Sequence, residues 1–248
     1  MWRLQVDFKE DSVYHQFSAE DRALIDERLR FEITKVSTGN HIPIIDISTQ
    51  LTAKIPDLKK PYRHLLDRGE MGRRIAQKGE TLCRVTGASR GEAVRIFDAT
   101  GGLCREAQLM SASGAHIWSS ERSLPLYLLS KQALHQAGSK VHLIFGEARL
   151  ALSSKIEPHT VYLDPMFPEA KKSAAVGKEA MILRAFAEQS DLEEESKLLE
   201  WAMSTAVCRV VVKRPLKAPV LAKVSPTASV RGKAIRFDIY GKRKLPKS

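Results

Sequence analysis

Short apolar runs alternate with longer amphipathic segments over most of the chain after residue 65. The runs are VRIFDAT, AHIWSSE, KVHLIFGE, TVYLDP and VCRVVVKRP. Short runs rich in Val and Ile are typical of strands that are buried on both faces of a parallel sheet. The segments between them have the spacing of crossover helices. The pattern therefore predicts an α/β fold with a doubly wound, Rossmann-like sheet.

Helical spacing is clearest in four segments, which cover residues 102–113, 124–137, 178–189 and 192–204. In the last segment Leu198, Leu199 and Ala202 supply an apolar face. Near the end of the chain, RGKAIRFDIYGK alternates apolar and polar residues, as a strand does. This segment is expected at an antiparallel edge or in a hairpin. His142, inside an apolar run, is expected to be buried.

The first 65 residues have a different pattern. The stretch HIPIIDISTQLTAKIPDLKKP mixes short β-rich runs with Pro43, Pro56 and Pro61, which interrupt regular structure. We therefore expect two domains, a small N-terminal α+β unit (1–65) and the α/β domain (66–248).

Composition narrows the class of protein. The chain is 43% hydrophobic and 28% charged, and it has neither an apolar run of membrane-spanning length nor a secretory signal, so we expect a cytoplasmic protein. Three cysteines without a CxxC pair predict neither a disulfide framework nor a zinc site. The net charge of +11 is concentrated after Val207, where twelve Lys or Arg residues stand against one acid, Asp238. Such a field favours a polyanionic partner.

Two signals for a cofactor site follow the first two strands of the α/β domain. Asp98-Ala-Thr-Gly101-Gly102 lies where a strand ends, and such a glycine turn lets a ligand approach the backbone. Glu121 follows 23 residues later, at the end of the next strand. An acid at about 20 residues is the position that binds a ribose diol in α/β cofactor folds. The turn does not match the GxGxxG pattern of dinucleotide-binding proteins.

A third signal, Asp164-Pro165-Met166-Phe167, follows another strand. Methylation of an exocyclic base amine requires acceptors for its N–H groups, and the Asp164 carboxylate and the Pro165 carbonyl suit that task. Phe167 would stack on an unpaired base. These three residues are the catalytic candidates.

The order DATGGL, SSERS, TVYLDPMFP, RVVVKRP and RFDIY resembles the family of small-subunit ribosomal RNA guanine-N2 methyltransferases J, over roughly residues 66–241. The resemblance implies a class I fold that uses S-adenosylmethionine (SAM). It also implies methyl transfer to the N2 amine of a guanine in small-subunit ribosomal RNA, either naked or in the assembled subunit.

The resemblance also implies a set of cofactor contacts. The positions that match the motifs of the family are Asp98, Gly101, Gly102, Arg105, Glu106, Glu121, Arg122, Glu147, Ala148 and Asp164. This sequence departs from the family pattern in three places. Glu106 replaces an Asp, Glu147 and Ala148 replace a Ser-Ser pair, and Cys104 stands where glycine is usual.

Basic residues near these motifs are the RNA-binding candidates. Arg68 lies in a segment similar to a Gly- and Arg-rich element of the family. Four lysines and one arginine follow the strands that carry the site, where phosphates beside a bound base would lie. They are Lys171, Lys172, Lys178, Lys213 and Arg214.

Three alternatives stay open. A DPxF loop also serves adenine-N6 methyltransferases. A glycine turn with a downstream acid also occurs in nicotinamide-dependent oxidoreductases, although the Asp164 motif argues against that class. The substitutions at residues 104, 147 and 148 would also fit a non-catalytic RNA-binding or assembly protein. No metal is expected, because the seven histidines lack metal-ligand spacing. No membrane partner is expected, because no apolar run is long enough to span a bilayer.

Overall fold

The computed structural model describes residues 2–6, 13–33, 43–47, 51–77, 80–165, 177–187 and 191–247. Within those ranges the strands are β1 (Arg3–Val6), β2 (Ile44–Ile47), β3 (Leu51–Lys54), β4 (Arg95–Asp98), β5 (His116–Glu121), β6 (His142–Phe145), β7 (Thr160–Leu163), β8 (Arg209–Pro215), β9 (Ala228–Arg231) and β10 (Ile235–Gly241). The α-helices are α1 (Ala19–Ile33), α2 (Gly69–Ala76), α3 (Thr81–Thr86), α4 (Arg105–Ala112), α5 (Leu124–Gln136), α6 (Ala148–Ala151), α7 (Lys178–Phe186) and α8 (Leu192–Thr205).

The chain divides into two compact units. The first consists of residues 1–64 and 172–187, and the second of residues 65–171 and 188–248. From the sequence we expect the domains 1–65 and 66–248. The grouping in the structure differs from them in that residues 172–187 belong to the first unit.

The first unit contains a three-stranded sheet of order β1-β2-β3, in which β1 and β2 are parallel and β2 and β3 antiparallel. The side chains of Ile45 and Ile47 are fully buried. The Trp2 ring packs edge-on against Phe186 of α7, and the guanidinium of Arg28 lies 4.4 Å from the centre of the Trp2 ring. This unit combines strands with the helices α1 and α7.

The second unit contains a seven-stranded sheet of order β6-β5-β4-β7-β8-β10-β9. Strands β4 to β8 are parallel to one another, and β10 is antiparallel to both β8 and β9. Helices connect the parallel strands, so the predicted doubly wound α/β fold is confirmed. Because the strands are parallel, their carboxyl ends meet at one edge of the sheet, which we call the carboxyl edge. The opposite edge is the amino edge.

Both faces of this sheet are covered, which explains why its strands are almost continuously apolar. On one face Ile96, Tyr162 and Val211 pack with residues of α3, α4 and α5. On the other face Phe97 and Val210 pack with Leu199 and other residues of α8.

Two details differ from the sequence analysis. The RFDIY segment lies in β10, an interior strand that forms a hairpin with β9, so of the two expected positions the hairpin is the one observed. His142 is exposed, which contradicts the prediction that it is buried. It starts the outermost strand β6 and stacks on Trp118 with ring centres 5.7 Å apart.

Among the described helices, none is long and apolar enough to cross a membrane.

Candidate active site

A tight glycine turn connects β4 to α4 at the carboxyl edge. A Cβ added to Gly101 would lie 2.7 Å from Ser119 Oγ and 2.8 Å from the Ser120 carbonyl oxygen, so only glycine lets the turn approach β5 this closely. Gly102 and Cys104 both have positive φ angles of 52°. The left-handed backbone at residue 104 explains why glycine is usual there, and this chain tolerates a buried cysteine instead.

Glu121, at the end of β5, is bound to the same turn. One carboxylate oxygen accepts a hydrogen bond from Gly102 N (2.6 Å) and the other from Ser123 N (2.6 Å). The residue is 9% exposed. Glu121 therefore ties the end of β5 to the glycine turn.

Asp98, at the end of β4, is 1% exposed and accepts a hydrogen bond from Thr100 N at 3.0 Å. Burial raises the pKa of Asp98 to about 7, although the bond from Thr100 opposes this rise. The Thr100 hydroxyl in turn accepts a hydrogen bond from Asp164 N at 2.7 Å. Thr100 thus links the ends of β4 and β7, a connection that no sequence signal indicated.

A cluster of three charged side chains occupies the carboxyl edge beyond β7. The ammonium of Lys213, near the end of β8, donates to Asp164 Oδ2 at 2.6 Å and to Glu106 Oε1 at 2.9 Å. The side chains of Lys213 and Glu106 are each 22% exposed, and that of Asp164 is 29% exposed. We call these three residues the carboxylate–lysine cluster.

The pKa shifts within the cluster follow from burial and mutual attraction. Burial raises the pKa of Asp164 to about 6; Lys213 lowers it and the Glu106 charge raises it. Burial also acts to raise the pKa of Glu106, but Lys213, with Arg74 and Arg105, lowers this pKa overall. Burial acts to lower the pKa of Lys213, yet the two carboxylates raise it. The cluster therefore holds two carboxylates around one permanently charged ammonium at neutral pH.

A cavity of about 310 Å³ adjoins the cluster. Glu106 and Lys213 form part of its wall, and Leu82, Ile235 and Phe237 supply apolar surface. Arg74 and Glu80, which form a salt bridge of 3.0 Å, line it as well. The cavity combines apolar surface with charges of both signs.

The other cofactor candidates lie around the glycine turn and the ends of the strands. Arg105 forms a salt bridge with Glu70 (3.0 Å), and Arg122 lies 3.7 Å from Glu194. Glu147 precedes α6 and pairs with Arg149 at 2.6 Å, while Ala148 is buried. These residues flank β4, β5 and β6, and their contacts in the structure are with protein groups.

The described RNA-binding candidates have different surroundings. Arg68 is exposed and pairs with its neighbour Asp67, and Lys178 is exposed at the start of α7 in the first unit. Lys171, Lys172 and the catalytic candidate Phe167 lie outside the described residues.

Lys213 and Arg214, which are expected from the sequence to contact RNA, have side chains that bind protein groups. Adjacent strand residues point to opposite faces of the sheet. Lys213 lies within the carboxylate–lysine cluster, whereas Arg214 is 4% exposed and its guanidinium donates to the Pro219 carbonyl at 2.9 and 3.1 Å. Sequence reasoning placed both at the right edge of the sheet but missed the direction of their side chains.

Gly101 has no room for a side chain because it packs against β5, so it brings the turn close to the strand that ends in Glu121. The turn and this acid lie together at the carboxyl edge, where α/β folds bind nucleotide-like cofactors. Together with the order of the strands and the antiparallel β10, this arrangement defines a class I SAM-dependent methyltransferase. In the described part of the chain there is no group of His, Cys, Asp or Glu residues that could hold a metal ion.

Comparisons with known proteins agree with this class. The model of a SAM-dependent methyltransferase family matches residues 64–242. Ribosomal RNA small subunit methyltransferase J of Alcanivorax borkumensis is 40% identical over 195 residues, which is 77% of this chain and 76% of that protein. The protein of the same name from Thioalkalivibrio sulfidiphilus is 34% identical over 209 residues, 78% of this chain and 80% of that protein. The chain belongs to the ribosomal RNA small subunit methyltransferase J family.

Solved structures confirm the fold. A SAM-dependent methyltransferase from Neisseria gonorrhoeae has a TM-score of 0.69 at 21% identity, and the match covers 96% of this chain and 95% of that one. A 16S rRNA N2 methyltransferase from T. thermophilus, solved with AdoMet and guanosine, has a TM-score of 0.50 at 13% identity. That match covers 78% of this chain and 47% of the other.

Proposed function

We propose that this protein transfers a methyl group from SAM to the exocyclic N2 amine of a guanine in small-subunit ribosomal RNA. The observation that carries the proposal is the position of Asp164, whose backbone N–H donates to Thr100 of the glycine turn and whose carboxylate accepts from Lys213. The names of the relatives support the ribosomal substrate. We place the enzyme in the cytoplasm, where that RNA lies.

The glycine turn and the strand ends would hold the cofactor. Gly101 and Gly102 offer backbone close to the ligand, and Glu121 offers carboxylate oxygens for a ribose diol. The flanking candidates are Asp98, Arg105, Glu106, Arg122, Glu147, Ala148 and Asp164. When bound, SAM supplies a methyl group on a positively charged sulfonium.

Asp164 acts on the amine of the base. A guanine N2 lone pair is delocalised into the ring, so it becomes available only when the N–H groups are bound and turned. Asp164 accepts one N–H, and the Pro165 carbonyl accepts the other. As the new N–C bond forms, the nitrogen releases a proton, and an ionised Asp164 is its nearest acceptor. Phe167, in the same motif, would stack on the base.

The basic charge of the C-terminal part supports an RNA substrate. Twelve of the 40 Lys and Arg residues lie after residue 206 against one acid there. Salt-dependent capture of a polyanion follows from such a field. The reaction as proposed needs no metal, since the sulfonium itself activates the methyl group.

The experiment is transfer of labelled methyl from SAM to undermethylated small ribosomal subunits, naked 16S ribosomal RNA and duplex DNA, followed by nucleoside analysis. Labelled N2-methylguanosine from a ribosomal sample is the expected result, and the sample that is labelled identifies the form of the substrate. Labelled N6-methyladenosine would replace the proposed acceptor with adenine. Binding of SAM without transfer to any of these acceptors would contradict the ribosomal substrate.

A further inference from the structure

Lys213 has a position that differs from that of a surface lysine. Strand β8 lies next to β7 in parallel register, with Val212 opposite Leu163, so the next residues along the two strands, Lys213 and Asp164, are neighbours. The ammonium lies between two carboxylates and the side chain is 22% exposed. A lysine that binds two carboxylates in a partly buried site has little capacity left for an RNA phosphate.

We propose that Lys213 is a positioning residue, which orients the Asp164 carboxylate and holds it in the ionised form that accepts hydrogen from the substrate amine. The inference rests on the proposed function, and it adds a residue that acts through Asp164 rather than on the base.

Orientation follows from the geometry. The ammonium binds Oδ2 of Asp164, and the Thr100 hydroxyl binds the backbone N–H of the same residue. The first contact fixes the carboxylate and the second fixes the backbone that carries it, and in the described part of the chain the donor that binds this carboxylate does so at Oδ2. The other oxygen, Oδ1, is therefore the one that meets an incoming amine. Glu106 completes the arrangement, because its bond of 2.9 Å to the same ammonium fixes the end of the flexible lysine chain.

Ionisation needs the lysine because the surroundings of Asp164 otherwise favour its neutral form. The carboxyl is partly buried, and Glu106 adds a second negative charge beside it. Other titratable or charged groups that act on this cluster come from β4, β7, α2 and α4; they are Asp98, Tyr162, Arg74 and Arg105. With Lys213 in place the pKa of Asp164 is about 6, so the group is mostly ionised at pH 7. Without the ammonium the pKa would rise and Asp164 would be mostly protonated.

The first test measures the titration of Asp164 directly and does not depend on activity. Carboxyl ¹³C NMR of aspartate-labelled protein follows the midpoint, and Asp164→Asn identifies the signal. We expect Lys213→Met to raise the midpoint by about one pH unit or more, since an adjacent opposite charge typically shifts a pKa by 1–3 units. Lys213→Arg should keep the midpoint within about half a unit. Lys217→Met, at an exposed lysine beyond the same strand, is the matched control and should leave it unchanged.

The second test measures single-turnover methyl transfer against pH. In Lys213→Met the acid limb of the rate should move upward with the carboxyl midpoint, and Lys213→Arg should restore the wild-type limb. Should Lys213→Met unfold, Lys213→Gln keeps a polar side chain and is measured in its place. An unmoved carboxyl midpoint, or a rate that falls equally at every pH, would overturn the inference and leave Lys213 a structural residue. If the wild type transfers no methyl group, the proposed function fails, while the NMR titration still decides the role of Lys213.

Discussion

The two edges of the seven-stranded sheet are built from the same strands but differ in where they put their polar groups. At the carboxyl edge Asp98 and Glu121 are buried, and Asp164 and Glu106 share a partly buried ammonium. The amino edge has the larger cavity, of about 610 Å³, against about 310 Å³ beside the cluster. The charged and imidazole groups that line it are exposed; they are Glu92, His116, Lys140 and His142.

The comparison shows that cavity volume is a poor guide to the candidate active site of this fold, and that buried carboxylates are a better one. Burial of a carboxylate costs free energy, and a chain retains such a group when function or a specific partner requires it. The pKa values of Asp98 and Asp164 are raised to about 7 and about 6. The exposed acid Glu92 at the amino edge has no comparable burial. The buried and partly buried carboxylates therefore favour the carboxyl edge, with its smaller cavity, as the candidate site.

The largest expected effect is that of Asp164→Ala on methyl transfer. Loss of the acceptor should lower the single-turnover rate by about 10²- to 10⁴-fold, the usual contribution of a general base. The fold should persist, because the residue follows the last residue of β7 rather than lying in the core. Glu92→Ala at the amino edge is the control and should transfer at the wild-type rate. A near-normal rate in Asp164→Ala would remove this residue from the mechanism.

Asp98 makes the stability of the protein depend on pH. Its folded pKa of about 7 lies above the ordinary value of 3.8, so the folded chain keeps a proton that the unfolded chain has released between these values. Its contribution to stability is therefore complete below pH 4 and is lost as the pH rises through 7. Asp98→Asn should remove up to about 4 kcal/mol of this dependence.

Chemical unfolding without cofactor, at several pH values between 4 and 8, measures the effect of Asp98→Asn. The difference between wild type and variant isolates Asp98, because Asp164 titrates in both proteins. Glu92→Gln at the amino edge should leave the pH dependence of the wild type in place. Parallel curves for wild type and Asp98→Asn would mean that Asp98 is not destabilised by burial.

Gly101→Ala tests the close packing of the glycine turn. The added Cβ would lie less than 3 Å from the backbone carbonyl of Ser120, so the end of β5 would have to move. Overpacking of this kind costs about 1–3 kcal/mol, and it should weaken SAM binding as well. At Gly177 an added Cβ meets nothing within 4 Å, so Gly177→Ala should lose less than about 1 kcal/mol. Thermal unfolding and SAM titration of both variants check this, and equal losses would contradict the packing argument.

Much of the fold could be predicted from the sequence, because its signals are local. The apolar runs correctly predicted the positions of β4 to β8, and the helical spacing predicted α4, α5, α7 and α8. The glycine turn and Glu121 were predicted together, since the carboxyl ends of parallel strands meet at one edge. The chain has the family motifs, and these led to the family that the comparisons confirm.

The carboxylate–lysine cluster could not be predicted, because it depends on contacts between elements distant in sequence. Glu106 and Lys213 are 107 residues apart, and Asp164 and Lys213 are 49 apart. Spacing alone does not say which face of β8 turns toward α4. Because both faces of this strand are covered, the alternation of polar residues gave no warning that Arg214 is buried. The roles of the individual site residues stay predictions, and so do the domain limits 1–65 and 66–248.

The smallest expected effect compares exposed basic residues at the two edges. Strand β10 runs antiparallel to β8, so the β9–β10 turn lies at the carboxyl edge, where Gly232 and Ile235 also line the smaller cavity. Arg231, the last residue of β9, and Lys233, in the turn, are exposed, and we expect them to meet phosphates beside a base bound near Asp164.

Arg243 and Lys244 offer a matched pair of exposed charges at the amino edge, where Arg243 N donates to the carbonyl of Cys208 before β8. We expect Arg231→Glu with Lys233→Glu to weaken binding of 16S ribosomal RNA and to reduce the slope of log K against log salt by about 2. Arg243→Glu with Lys244→Glu changes the net charge by the same amount. If the slope of this variant stays at the wild-type value, the location of the charges, and not the net charge alone, determines RNA binding. Equal losses in both variants would mean that RNA is attracted by the overall field of the C-terminal part, and the carboxyl edge would then have no special share in holding the substrate.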